Sequence, residues 1–273
     1  MFLQKVFRDR VIRRPGVTSS QQPSLIISLH VPKAAGTTFS RYLLNVFPDG
    51  VLRDYGPTTP QVGELFNSCF TWGKWAQLSG DTKVRVISYG ILNYKKVLAE
   101  RGIRVIHGHF NLDKYLGIFP DATYVTWLRD PLDRAMSQYN FFKRTLMDPP
   151  DPTNNLIYEG KLPFEEWMTQ PDNINLQQRF TGPDLTKFKF VGIAEDFERS
   201  LAIFRKLAGL EQKQYDLDTT PENVNPHKPV NNTYDDLDRR TRSRFIDLNQ
   251  LDLAMYRAAV QRLRKMESDL KLG

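Results

Sequence analysis

A three-layer α/β fold, with a central mostly parallel sheet flanked by helices, is predicted by three observations. Apolar runs of strand length alternate with segments of helical periodicity along most of the chain. Two of those runs pass straight into loops that open helices. No internal repeat and no long low-complexity tract breaks the alternation.

Taken in order, Leu25-Ile26-Ile27-Ser28-Leu29 reads as a strand, and Phe39-Ser40-Arg41-Tyr42-Leu43-Leu44 as the start of an amphipathic helix. Pro48 to Pro60 is turn-rich. Gln61 to Leu78 carries Phe66, Phe70, Trp72 and Trp75 at amphipathic spacing, which fits core packing. Val84-Arg85-Val86-Ile87 is a short strand or part of a loop. Ile91 to Arg101 reads as a helix ended by Gly102, and Ile103 to His107 as a strand. Tyr124 to Leu128 is a further strand, stopped by Pro131, with Asp133 suited to cap a helix that reaches Lys143. Asp148 to Asn155, with Pro149, Pro150 and Pro152, reads as a loop. Phe164 to Met168 fits a short helix, Lys189 to Ile193 a strand, and Glu195 to Leu207 a helix with Phe197, Leu201, Phe204 and Leu207 on its apolar face. Tyr215 to Asn232 is rich in Pro and Asn, and helices over about Asp235–Asn249 and Asp252–Lys265 close the chain. Residues 1–22 form a basic N-terminal arm and residues 23–273 a single domain.

Composition narrows the class. Hydrophobic residues make up 40% and charged residues 25%, as in soluble globular proteins. No stretch reaches the roughly 20 apolar residues of a membrane span. A single cysteine, Cys69, allows no intramolecular disulfide. Excess lysine and arginine give a net charge of +7, which favours anionic ligands. Nucleic acid is not indicated, because no aromatic-interleaved basic module or zinc-knuckle pattern is present. A bacterial cytoplasm is the simplest compartment, and a Golgi lumenal enzyme without its anchor would look the same.

The loop His30-Val31-Pro32-Lys33-Ala34-Ala35-Gly36-Thr37-Thr38 carries the most chemistry. Small residues opening a helix leave its first N–H groups free for an anion, Lys33 adds a cation, and Thr37 and Thr38 add hydroxyls. An ATPase loop would place its lysine directly after the second glycine, where Thr37 stands here. A second anchor is Trp127-Leu128-Arg129-Asp130-Pro131, followed by Ser137. A guanidinium at a strand end and a hydroxyl on the next helix can converge on one phosphate. Taken singly, each motif also reads as an ordinary turn or a surface ion pair.

Pro32-Lys33-Ala34-Ala35-Gly36-Thr37-Thr38 resembles the 5′-phosphosulfate loop of sulfotransferases that use 3′-phosphoadenosine 5′-phosphosulfate (PAPS), and Arg129…Ser137 resembles their 3′-phosphate site. The resemblance implies a P-loop-like fold and a PAPS-dependent enzyme that releases 3′-phosphoadenosine 5′-phosphate (PAP). It also implies that Ala35, Gly36, Thr37 and Thr38 hold the 5′-phosphate, that Lys33 neutralises the bridging oxygen, and that Arg129 and Ser137 hold the 3′-phosphate. Lys228, in Asn225-Pro226-His227-Lys228, is a candidate phosphate contact or a solvated loop lysine.

His107-Gly108-His109 follows a strand and lies between the two phosphate motifs. It is similar to the uronyl and heparan 2-O-sulfotransferase branch, which implies a carbohydrate hydroxyl as acceptor and His109 as catalytic base. His107 would orient that base or contact the acceptor. A metal pair completed by Asp113 is the competing reading, although no metal is expected. His30 is structural or touches substrate; Asn175-Leu176-Gln177-Gln178-Arg179-Phe180 reads as a helix with ordinary polar residues or as an acceptor-side segment, in which Arg179 is the candidate cation for an anionic acceptor. Two other function classes are an ATP-dependent phosphotransferase on a related fold and a non-catalytic nucleotide-binding protein.

Overall fold

The structure, a computed structural model, describes residues 25–55, 92–147, 150–210 and 237–270. Five short parallel strands form one sheet in the order β2-β3-β1-β4-β5. They are β1 (Ile26–Leu29), β2 (Val51–Asp54), β3 (Val105–Gly108), β4 (Thr123–Leu128) and β5 (Phe190–Ile193). Every residue of β1, β3 and β5 is buried, which requires cover on both sheet faces. Phe39, Tyr42 and Leu43 of helix α1 (Gly36–Val46), Tyr94 and Leu98 of a helix over 92–100 (α2), and later helices join the strands in the main core.

β2 departs from the turn-rich reading of Pro48 to Pro60. Its four residues pair in register with β3, Arg53 opposite His107 and Asp54 opposite Gly108. Asp54 is fully buried and accepts from Lys114 Nζ at 2.5 Å and the Tyr115 hydroxyl at 2.8 Å. The aspartate and the flanking prolines hide a strand that tertiary partners stabilise. Lys114 and Tyr115 belong to a short helix, α3 (Asp113–Leu116).

After β4 comes α4 (Pro131–Phe142), and its cap is Asp130 rather than Asp133. Asp130 Oδ1 accepts from the Leu132 and Asp133 N–H groups at 2.9 and 3.2 Å. Pro131 therefore does not merely stop the strand; it is the first helical residue, where a missing N–H costs nothing. The same chemistry corrects Asp148 to Asn155: Asp151 caps α5 (Pro152–Tyr158), with Pro152 at its first position. Asn154, fully buried, ties that helix back by accepting from Met147 N–H and donating to the Phe142 and Thr145 carbonyls.

Two short helices follow, α6 (Phe164–Trp167) and α7 (Leu176–Thr181). A second apolar cluster, with Leu132, Tyr139, Ile157, Trp167 and Phe245, lies beneath α4 and α5. Beyond β5, one 3-10 turn over Ala194–Asp196 leads into α8 (Phe197–Leu207). The closing helices are α9 (Arg239–Leu248) and α10 (Gln250–Leu270), so the second runs further than its polar composition suggests. No helix among the described residues is long and apolar enough to cross a membrane. The arm at 1–22, the segments Gln61 to Leu78 and Val84 to Ile87, Tyr215 to Asn232, and Lys228 lie outside the described residues.

Candidate active site

The site gathers at the carboxyl ends of β1, β3 and β4, where open parallel sheets place ligands. The loop after β1 reverses direction through two left-handed residues that are not glycine, Lys33 (φ 65°) and Ala35 (φ 60°). Each such residue stores about 1 kcal/mol of strain, a pattern typical of functional loops. Ala35 opens α1 with no side-chain cap and no acidic residue in the first turn. The Gly36, Thr37 and Thr38 N–H groups thus precede the first intrahelical bond, from Phe39 N–H to the Ala35 carbonyl. Thr37 is exposed and Thr38 half-buried.

Gly36 has a different reason from its neighbours. A Cβ there would lie 1.8 Å from the His30 ring, so the glycine makes room for a histidine at the end of β1. His30 is buried, stacks on His107 with ring centroids 5.3 Å apart, and lies tilted against His109 with centroids 4.3 Å apart. Its Nδ1 lies 3.4 Å from the Tyr55 hydroxyl.

Register explains why His107 and His109 differ. His107 pairs with Ser28 across the β1–β3 ladder, and its Nδ1 is 2.8 Å from the Ser28 hydroxyl. It is 1% exposed, and no well-formed hydrogen bond reaches its Nε2, although the Gly36 backbone lies close enough to favour the charged ring. Burial, with His109 adding to it, still holds its pKa down at about 3. Gly108 lets β2 approach: a Cβ would lie 1.6 Å from the Asp54 carbonyl oxygen. His109, one residue beyond the strand, is half-buried and donates from Nδ1 to the His30 carbonyl at 2.7 Å. Its pKa also falls, through burial, while the His30 carbonyl opposes the shift.

The cations sit on the other side of the loop. Lys33 Nζ lies 4.3 Å above the Phe141 ring. Burial first, then Arg129 and Arg144, bring its pKa down to about 8. Arg129 donates from Nη1 to the Lys33 carbonyl at 3.3 Å, so the two sequence motifs meet directly. Gln177 holds the Arg129 backbone, accepting from its N–H at 2.9 Å and donating to its carbonyl at 2.8 Å. Ser137 is half-buried on α4. Arg179 is exposed, donates to the Pro171 carbonyl and pairs with Asp172 at 3.0 Å. Its neighbour Phe180 lies against His109, with ring centroids 6.3 Å apart.

Several supporting residues escape a reading of motifs. Asn175, left-handed at φ 48°, donates to the Leu248 carbonyl and accepts from the Leu251 and Asp252 N–H groups. Asp252 in turn accepts from the Gln177 and Gln178 N–H groups at 3.0 and 2.8 Å. The corner between α9 and α10 thereby fixes the glutamine that fixes Arg129. Among the described residues, no three His, Cys, Asp or Glu side chains are arranged to hold a metal ion.

Residues 20–257 match a family model described as the sulfotransferase family. Among solved structures, the chain is similar to a sulfotransferase from Alicyclobacillus acidocaldarius, at 18% identity over 89% of this chain and 97% of that one, with a TM-score of 0.44. It is also similar to mouse sulfotransferase SULT7A1 complexed with PAP, at 9% identity over 71% of this chain and 60% of that one, with a TM-score of 0.35. A retinol dehydratase in complex with retinol and PAP shares 15% identity over 73% of this chain and 63% of that one, with a TM-score of 0.30. The chain spans less than two thirds of the mouse protein and of the dehydratase. No curated protein matches it.

Proposed function

The chain belongs to the sulfotransferase family, and we propose that it moves the sulfuryl group of PAPS to a carbohydrate hydroxyl, with His109 as the base. The observation that carries this reading is the bond from His109 Nδ1 to the His30 carbonyl. A carbonyl only accepts, so Nδ1 bears the proton and Nε2 keeps its lone pair. Burial keeps the ring neutral and ready to receive a proton.

Nε2 would take the proton of the acceptor hydroxyl while the hydroxyl oxygen bonds to sulfur. The bond from sulfur to the 5′-phosphate oxygen breaks in the same displacement, and its electron pair leaves with PAP. Lys33 would neutralise the charge that grows on that oxygen, in a half-buried setting where a cation acts strongly. The free N–H groups of Gly36, Thr37 and Thr38, with Ala35 shaping the turn, suit the 5′-phosphate. Arg129 and Ser137 suit the 3′-phosphate.

His107, buried and stacked on His30, suits orientation rather than acceptor contact. The His107-Gly108-His109 motif and the net charge of +7 support an acidic carbohydrate as acceptor. Arg179 is the acceptor-side cation in this reading, on the helix that sets Phe180 against the base.

His109→Ala is expected to lower sulfate transfer from labelled PAPS to a carbohydrate panel by about 10²–10⁴-fold, with PAP affinity kept. A variant that loses PAP binding without slower turnover would remove His109 from the role of base.

A further inference from the structure

Arg129 is held by more than its phosphate role requires. Its Nε faces Glu195 Oε1 at 3.8 Å. The same oxygen accepts the Asp130 backbone N–H at 3.0 Å. Glu195 Oε2 accepts the Tyr256 hydroxyl at 3.0 Å. One carboxylate therefore links an arginine at the end of β4 to a tyrosine midway along α10, 61 residues beyond Glu195 in sequence.

The orientation of the guanidinium follows. Nη1 faces the Lys33 carbonyl and Nε faces Glu195, which leaves Nη2 without a partner among the described residues. A bare carboxylate beside a phosphate site would repel its ligand. Here two donors, the Asp130 N–H and the Tyr256 hydroxyl, draw on the lone pairs of Glu195 and hold it in place. Tyr256 stays protonated as a donor, because burial and the carboxylates of Glu195, Asp130 and Asp133 raise its pKa.

We infer that Glu195 and Tyr256 are positioning residues that preset Arg129 for a nucleotide carrying a 3′-phosphate, and so contribute to donor selectivity. The inference rests on the donor reading above. Glu195 and Tyr256 touch no reacting atom in this role; they restrict the arginine to one orientation before the ligand arrives, which lowers the cost of ordering it on binding.

The test is calorimetric titration of the full chain with PAP and with 5′-AMP, which lacks the 3′-phosphate. The wild-type protein is expected to prefer PAP. Tyr256→Phe should weaken PAP binding about five- to tenfold, within the range of one ordinary hydrogen bond, and leave AMP binding unchanged. In a Glu195→Ala background, Tyr256→Phe should have no further effect on PAP, because the tyrosine acts through the glutamate. Equal weakening of PAP and AMP, an unchanged PAP-to-AMP ratio, or a full tyrosine effect without Glu195 would each overturn the inference while the donor reading stands. A wild-type protein with no preference for PAP would overturn both.

Discussion

Burial acts on His109 and on Lys33 in the same direction, with opposite consequences for the state each needs. In the roles proposed above, a base must be deprotonated, so a lowered His109 pKa widens its working range, and activity is expected to fall only as pH drops through a value below 6.5. Lys33 must be charged, so its lowered pKa narrows the range, and activity falls as pH rises through about 8. The profile of kcat/KM for the donor is expected to be bell-shaped, because that quantity reports the free enzyme. Lys33→Arg should move the alkaline limb upward by keeping the charge; a limb that stays near 8 would assign it to another group. The residue types at these positions were legible from sequence, whereas the tautomer of His109 was not, because it depends on the carbonyl of a residue 79 positions away.

At the scale of elements, the strand–loop–helix unit of β1 and α1 was legible because its small residues and lysine stand in one short run. The reason for Gly36 was hidden, since the motif does not reveal that the His30 ring fills the space of its missing side chain. Gly36→Ala is expected to displace that ring and destabilise the protein by about 1–3 kcal/mol, through overpacking. A shift in the denaturant midpoint at constant slope would measure it. Activity should fall as well, because His30 carries the carbonyl that orients His109. β2 and α5 were not legible because proline and aspartate read as loop, yet Asp54 has two side-chain donors from another element and Asp151 is a cap. Local composition cannot distinguish a turn from an edge strand when the deciding partners are 60 and 61 positions away, and an aspartate followed by proline suits a loop as well as a helix start.

Across the whole molecule, the C-terminal helices act as a brace for the Arg129 backbone and so for the proposed donor site. Asp252, buried, caps the first turn of α7 through Gln177 and Gln178, while Arg134, also buried, has this carboxylate as its favourable charge. Asp252→Ala should destabilise the protein by about 2–4 kcal/mol, read as a lower denaturant midpoint. It should also weaken PAP binding, because Gln177 no longer fixes the Arg129 backbone. The alternation of strands and helices made the sheet legible at this scale. The brace was not, since its residues are ordinary polar types whose meaning comes only from 73 to 77 positions of separation. Calorimetric titration of the full chain with PAP, 5′-AMP and ATP tests the central claim most directly. The expected result is PAP binding at least about tenfold tighter than either comparator, near 1.4 kcal/mol or more. ATP binding as tightly as PAP would contradict the sulfate-donor reading and point to phosphoryl transfer.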